Sequence, residues 1–379
     1  MPRTQLPVRS DSSSEFDLLP WEAALDRYGD SWTNIVDSRN LNPTHLPGWL
    51  DITIRSHRLP SPIEVVTLAN NGSLQAALPV FYVKSRHFGL PFNTVELVTN
   101  SVSYHADLIT TTENEAVLTG LFKIIRPCHL FRAANLTLNG SAMKRLQRYA
   151  AENGLATMVL PVEESPHLPI TSDWNSFIAS KNKKFRYKLR QRQKAVAADP
   201  QVSAVALDSE ADTTRLYEEI LEIESKSWKA KYHLDIQHRE KERAYYSLLL
   251  PYLAQLGALH VDMLYYDDVP IAYSLCVNWK GWVGQLKTSF DERFSKLSPG
   301  AIVIDRSIKA AFDNSAREFD FLGDMDRHKG AWTALIRRHA DVFIYNNKLK
   351  SRMLYIARKT KSRILPRRRI ASVKPGTSS

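Results

Sequence analysis

Three apolar runs, at residues 258–266, 271–278 and 282–289, stand so close together that only short turns can join them. Asp267-Asp268 and Lys280-Gly281 supply the turn residues, and β-branched and aromatic runs bounded in this way read as strands. Links so short allow only antiparallel neighbours, so the chain carries an antiparallel meander. A loop at 291–299 follows, then residues 300–313, where Ile302, Val303, Ile304 and Ile308 behind Pro299-Gly300 read as a helix. A strand at 318–322, a polar turn with a short helix at 323–335 and a strand near 342–345 complete the series.

Upstream, Trp174, Ile178, Phe185, Leu189 and Val196 recur at intervals of four and seven. This predicts one long amphipathic helix that Ser172 or Asp173 could cap. Helices at 213–231 and 241–256 follow. The first half shows short helices at 21–28 and 48–56, then a hairpin of strands 63–68 and 74–83 across Asn70-Asn71-Gly72, whose Asn-Gly supplies positive φ. Helices at 113–125 and 142–153, strands at 134–138 and 156–160, and a proline-marked link at 161–169 close it.

Hairpin, helix and strand thus recur in one order in both halves, which predicts a degenerate internal duplication. The 379 residues suit two domains. The expected organisation is a first domain at 1–165, a second at 166–347 and a basic tail at 348–379. The expected class is α+β, with two mixed sheets flanked by helices.

Composition matters through its placement. Two cysteines, Cys128 and Cys276, are too few for a disulfide framework, and neither has a second Cys or spaced His beside it to hold a metal. This predicts a reducing, cytoplasmic setting and no metal. The first residues lack the apolar core of a signal peptide, and the greasiest stretch, 246–266, is broken by Pro251, His260 and Asp262. The formal charge of +11 is concentrated at residues 181–194 and 341–379, leaving the remainder net acidic. Two local cationic segments seek phosphate, acidic lipid or nucleic acid, without making the whole chain a nucleic-acid-binding protein.

No Gly-x-Ser-x-Gly, no glycine-rich phosphate loop and no His-Glu-x-x-His occurs, which removes the usual support for hydrolase, ATPase and metalloenzyme readings. There remains the strand, loop and helix of residues 284–313. A helix N-terminus presents unpaired N–H groups to an anion, and at Ser298-Pro299-Gly300-Ala301 the proline presets the turn and the glycine lets a diphosphate approach. The same four residues start many helices that bind nothing.

Four segments together resemble the GNAT acyltransferases of the CelD-like or BioF-type subfamily, themselves similar to the Fem aminoacyl transferases. They are Phe185 through Arg192; Glu224-Ser225-Lys226-Ser227-Trp228-Lys229; Lys287-Thr288-Ser289-Phe290-Asp291 with Ser298-Pro299-Gly300; and Phe319-Asp320-Phe321-Leu322-Gly323-Asp324 with Lys329 and Trp332. The likeness covers residues 172–347 well, and the first half only in outline. It implies a tandem GNAT-like fold whose first unit is degenerate. Lys287, Thr288 and Ser289 would then run beside the pantetheine arm of acetyl-CoA or another acyl-CoA, pairing backbone to amide, and Ser298 to Ala301 would hold the pyrophosphate. The phosphate loop departs from the ordinary GNAT pattern, with Ser295 at its first position and Ser298 in place of the first glycine.

The chemistry implied is direct attack of an amine or hydroxyl on the thioester, with a base for the nucleophile's proton. Asp324 is the first candidate base, or a binder of a substrate hydroxyl; a loop Asp can equally cap the following helix. Glu224 is the second candidate base. Trp228, four residues on, lines the acceptor cleft or belongs to the core. Asp291, Asp320 and Lys329 fall to substrate binding, and Arg186 and Arg190 to substrate contact or structural anchoring.

The acceptor implied by the resemblance is a sugar, polysaccharide precursor or cell-wall component. A Fem-like donor, aminoacyl-tRNA held by the basic helix, is the alternative, as is a non-catalytic GNAT-fold scaffold where a polysaccharide is made. Leu349, Met353, Leu354, Ile356 and Ile364 among basic residues suit a helix lying on an anionic membrane surface, which would place the protein at the inner face of the membrane.

Overall fold

The computed structural model describes residues 14–60, 62–87, 90–99, 105–111, 116–125 and 127–364. Its twelve strands are β1 Ser14–Pro20, β2 Ile63–Asn70, β3 Ser73–His87, β4 Leu90–Leu97, β5 Leu130–Thr137, β6 Ala156–Pro169, β7 Val202–Leu207, β8 Leu259–Tyr266, β9 Val269–Trp279, β10 Trp282–Phe290, β11 Glu318–Asp320 and β12 Ile336–Tyr345. They hydrogen-bond in the order β1-β2-β3-β4-β5-β12-β6-β11-β10-β9-β8-β7. The two sheets expected from sequence are therefore the two mixed halves of one continuous sheet.

The order explains how. In the first half β1 to β4 form an antiparallel run and β4 lies parallel to β5. In the second half β7 to β10 do the same, and β10 lies parallel to β11. The closing strands are exchanged. β6, which follows the first half, pairs through His167–Pro169 with β11, while β12, which follows the second, pairs with β5. β6 and β12 then pair with each other from Ala156↔Tyr345 to Pro166↔Ile336. The duplication is thus visible in the topology, and the exchange welds the halves edge to edge.

Several sequence expectations change for local reasons. Residues 161–169 are strand rather than link, because Pro161 lies where the register against β12 shifts, one of the few places a ladder tolerates a missing N–H. The long helix at 174–196 is two, Trp174–Ser180 and Lys183–Ala198. Between them Lys181 is extended, and the Asn182 side chain accepts from Phe185 N and starts a new helix. Asp173 caps the first. Likewise the helix expected at 213–231 stops at Ser225, and Ser227 caps a short turn at Trp228–Lys231. β1, β4 and β7 were not legible, since their apolar residues do not alternate between clear turn signals.

One core spans both halves on one face of the sheet, joining Trp32 and Trp49 of the first to Ile220, Ile223, Tyr245 and Leu249 of the second. Trp49 Nε1 donates to Tyr245 OH at 2.8 Å across it. On the other face the halves keep separate cores. The helices Ala116–Ile124 and Ser141–Glu152 cover the first, and the helices Pro299–Asp313 and Lys183–Ala198 cover the second.

Candidate active site

β10 has neighbours on both edges only from Trp282 to Gly284, opposite Glu318 to Asp320. Beyond Gly284 it continues to Phe290 against β9 alone, with a register shift between Gln285 and Lys287. β11 stops at Asp320, and the chain turns away through Leu322, which is buried with φ of 41°. A positive φ at a bulky residue is strained and persists only where its surroundings hold it. Here Asp320 Oδ1 accepts from Leu322 N at 3.0 Å. The parallel strands therefore splay, and a row of β10 backbone groups faces the gap.

The far end of that edge leads to the helix Pro299–Asp313. Ser298 sits in the left-handed region, with φ of 55° and ψ of 46°, and its carbonyl accepts from Ala301 N and Ile302 N. Gly300 is required by packing: a Cβ there would lie 2.8 Å from Phe290 Cδ1. Besides the close approach of a ligand expected from sequence, Gly300 thus serves close helix-to-strand contact. The side chains of Lys287 and Thr288 also turn inward, Lys287 Nζ to Glu242 at 2.8 Å and Thr288 Oγ1 to the Tyr273 carbonyl at 2.8 Å. Ser289 is buried. What this segment offers a ligand is backbone, and the Thr288 carbonyl already accepts from Lys229 Nζ at 2.8 Å.

Glu224 lies beneath this edge and is fully buried. Its carboxylate accepts from Lys229 Nζ at 2.7 Å, Tyr273 OH at 2.8 Å and Ile236 N at 3.1 Å. So engaged, the second candidate base is the counter-ion of a buried lysine. Burial, then the neighbouring Lys287 ammonium, bring Lys229 down to about 8. Lys229, Glu242 and Tyr273 were not singled out from sequence, because the spacing from Glu224 to Lys229 belongs to no single helix face once the chain breaks at Ser227.

Asp320 is also fully buried and is not placed to touch substrate. Besides Leu322 N it accepts from Ser165 Oγ at 2.6 Å, from His105 Nε2 at 3.0 Å and from Arg337. His105 comes from the first half, Ser165 from β6 and Arg337 from β12. Asp291 is likewise buried, capping the turn at Arg293 N and held by the Arg293 guanidinium at 2.6 Å. Both acids expected to bind substrate hold backbone turns.

Asp324 is exposed, four residues beyond the end of β11 at Asp320. Asp326, not Asp324, accepts from Lys329 N at 2.8 Å, so the capping role falls to another residue. Lys329 Nζ donates to the Asp324 carbonyl at 3.1 Å, and burial lowers its pKa. Trp228 is half-buried and meets Tyr232 edge to face at 6.3 Å. Arg186 donates to the Ala179 carbonyl at 2.8 Å and Arg190 to that of Arg186 at 3.3 Å, which fits anchoring. Arg192 on the same helix binds Asp305 at 2.5 Å. Burial pushes that carboxyl up to about 6 against the pull of Arg192.

Beside Asp320, burial holds His339 down to about 3, against about 6.5 for a free histidine. The native state then binds fewer protons than the unfolded one between these values, so stability rises with pH across that window and is lost on acidification. A His339→Gln variant is expected to flatten the dependence of the denaturant midpoint between pH 4 and 6.5; an unchanged slope would assign the acid sensitivity elsewhere.

The Acetyltransferase (GNAT) domain family matches residues 183–330. No curated protein matches the chain by sequence. Among solved structures, FemX aligns at 11% identity and a TM-score of 0.53, over 82% of this chain and 94% of its own. The C-terminal domain of a proposed lysylphosphatidylglycerol synthetase from Agrobacterium fabrum aligns at 11% identity and a TM-score of 0.52, over 89% and 96%. L-PGS from Bacillus licheniformis aligns at 9% identity and 0.50, over 87% and 96%. At such identities the likeness is one of fold.

Proposed function

We propose that the chain, whose residues 183–330 match the Acetyltransferase (GNAT) domain family, is an acyltransferase whose donor is acetyl-CoA or a longer acyl-CoA. The observation that carries this reading is the unpaired edge of β10 beyond Gly284, which runs from the splay towards a helix N-terminus. An extended pantetheine arm adds to such an edge as a further strand, and the diphosphate meets the positive end of the helix at the Gly300 N–H, since Pro299 has none and Ala301 N and Ile302 N already donate to the Ser298 carbonyl. The acceptor is an amine or hydroxyl, on a sugar or polysaccharide precursor. Its nucleophilic atom attacks the thioester carbonyl as Asp324 takes the proton, the C–S bond breaks, and the departing thiolate is protonated to free CoA. Trp228 and Tyr232 line the approach.

Titration calorimetry with acetyl-CoA and longer acyl-CoAs tests the donor. Ala301→Glu puts an acid in the first helical turn, where it favours the fold by about 0.3–1 kcal/mol yet repels a diphosphate. Micromolar binding weakened at least about tenfold in this variant, at unreduced thermal stability, is expected. Failure of every acyl-CoA to bind would sink the reading. In the same series Asp324→Asn should lower kcat by roughly 100-fold with donor affinity unchanged.

A Fem-like aminoacyl-tRNA donor is favoured by one observation, the exposed Lys183, Lys184, Lys188, Arg190 and Lys194 on the helix Lys183–Ala198. It requires binding that falls steeply with salt, whereas acyl-CoA binding depends on salt only mildly.

Membrane contact is a further part of the proposal. In the helix Leu349–Ile364, Leu349, Met353 and Ile356 are exposed at helical spacing beside Lys350, Arg352 and Lys359, while Leu354 packs inward. No helix among the described residues is long and apolar enough to cross a membrane. A basic amphipathic helix docks instead on anionic lipid. Combined Leu349→Ser, Met353→Ser and Ile356→Ser is expected to abolish binding to acidic liposomes; undiminished binding would remove the membrane from the proposal.

A further inference from the structure

Between the two halves lies an open-mouthed cavity of about 250 Å³, lined by residues of neither the donor edge beyond Gly284 nor the helix N-terminus at Ser298. Trp279 and Trp282 line it from the second half, with Glu318 and Arg337; Asn42 and His105 line it from the first. The volume is below the roughly 300–1,000 Å³ of sites for drug-sized ligands, so it suits one small ring.

Its chemistry is that of a polyhydroxylated, uncharged ligand. The lining carries two guanidiniums, Arg317 and Arg337, and two carboxylates, Asp107 and Glu318. Arg337 is spent on Glu318, at 2.9 and 3.0 Å, and on Asp320. His45 is fixed as a neutral tautomer: Nδ1 must donate to the Asn42 carbonyl at 3.0 Å, and Nε2 accepts from Asp107 N at 2.9 Å. With charges balanced, a phosphate or carboxylate gains little here, whereas vicinal hydroxyls find donors and acceptors side by side. Two indoles supply apolar faces for the C–H side of a ring. The Trp282 ring is held flat over Gly284, where a Cβ would come within 2.2 Å of it, and meets His105 edge-on at 5.8 Å.

We propose that this cavity binds a neutral sugar ring and serves as an anchoring subsite for a glycan acceptor. Along β10, Trp282 precedes the register shift at Gln285 to Lys287 by three to five residues, about 10–16 Å at strand rise. That offset places a sugar bound here one or two rings from the unit that reacts at the splay. The anchoring role rests on the acyl-transfer reading; sugar binding does not. Two lining residues, His105 and Arg337, also hold the Asp320 carboxylate that fixes the Leu322 turn, so the subsite and the splay share a wall.

The test is saturation-transfer NMR on the full chain with glucose, N-acetylglucosamine and cellobiose, repeated on Trp279→Ala and on the rim variant Arg317→Ala. Acetyl-CoA titration and denaturant midpoints are measured on the same samples. Millimolar binding of at least one sugar, weakened about tenfold in Trp279→Ala with acetyl-CoA affinity and midpoint unchanged, is expected. If Trp279→Ala shifts the midpoint, Arg317→Ala alone must weaken the sugar. No transfer from any of the three, binding indifferent to both variants, or displacement of the sugar by inorganic phosphate would overturn the proposal. Sugar binding without acyl-CoA binding would leave it standing and sink the donor assignment.

Discussion

Replacing Asp320 with alanine is expected to destabilise the chain by about 3–5 kcal/mol, the cost of stripping one partner from a buried ionic network. The carboxylate is fully buried and accepts from Ser165, His105, Arg337 and Leu322 N. Its loss leaves the Arg337 guanidinium with Glu318 alone and removes the acceptor that holds Leu322 at positive φ. Despite its burial, His105 and Arg337 hold the carboxyl well below the usual carboxylate range. The sign follows: the native state releases this proton more readily than the unfolded one, so its contribution is full above the unfolded pKa of about 3.9 and is lost as pH falls below that. Asp320→Asn keeps an acceptor for Leu322 N and should cost less than alanine. Denaturant midpoints at pH 7 check the order. A midpoint unchanged in Asp320→Ala would show that the network does not hold the splay.

Glu224→Ala is expected to cost a similar 3–5 kcal/mol. Lys229 would stay buried, 2.8 Å from the Thr288 carbonyl and close to Lys287, without its own acid, while Lys287 keeps Glu242 at 2.8 Å. The Tyr273 hydroxyl and Ile236 N would lose their acceptor. Because burial and Lys287 already bring Lys229 down to about 8, removing the carboxylate should push it lower still. The lysine would then shed its proton near neutral pH rather than stay charged in a dry site. Glu224→Gln retains hydrogen bonds but not the charge, and an intermediate loss is expected. The alternative, Glu224 as general base, makes the opposite prediction: turnover falling by orders of magnitude in Glu224→Gln with the denaturant midpoint preserved.

The strand exchange bears on both results. β6 and β12 are each the closing strand of one half and the pairing partner of the other, and they carry Ser165 and Arg337 to Asp320. The first half is therefore a structural part of the second half's site even if it binds no donor. In the first half β4 ends at Leu97, one residue past its pairing with β5, and beyond that end the chain itself bridges β3 and β5, with Thr110 opposite Ala76 and Ala106 opposite Leu136.

The amino-acid sequence by itself determined the local elements whose signals are local. The meander of β8, β9 and β10 follows from apolar runs parted by Asp267-Asp268 and Lys280-Gly281, and the first hairpin from Asn71-Gly72, both at positive φ. The helix after Pro299 and the repetition of one element order were equally legible, since periodicity and turn chemistry act over a few residues. Only the tertiary structure decided the single continuous sheet, the exchange of β6 and β12, and the roles of the acids. Asp320, Asp291 and Glu224 look in sequence like any motif carboxylate. What separates them from the exposed Asp324 is burial and the donors gathered around each, and those donors, His105, Ser165, Arg337 and Tyr273 among them, come from segments far apart in the chain. Spacing along a sequence encodes which face of an element a side chain occupies, but not which distant element will meet it there.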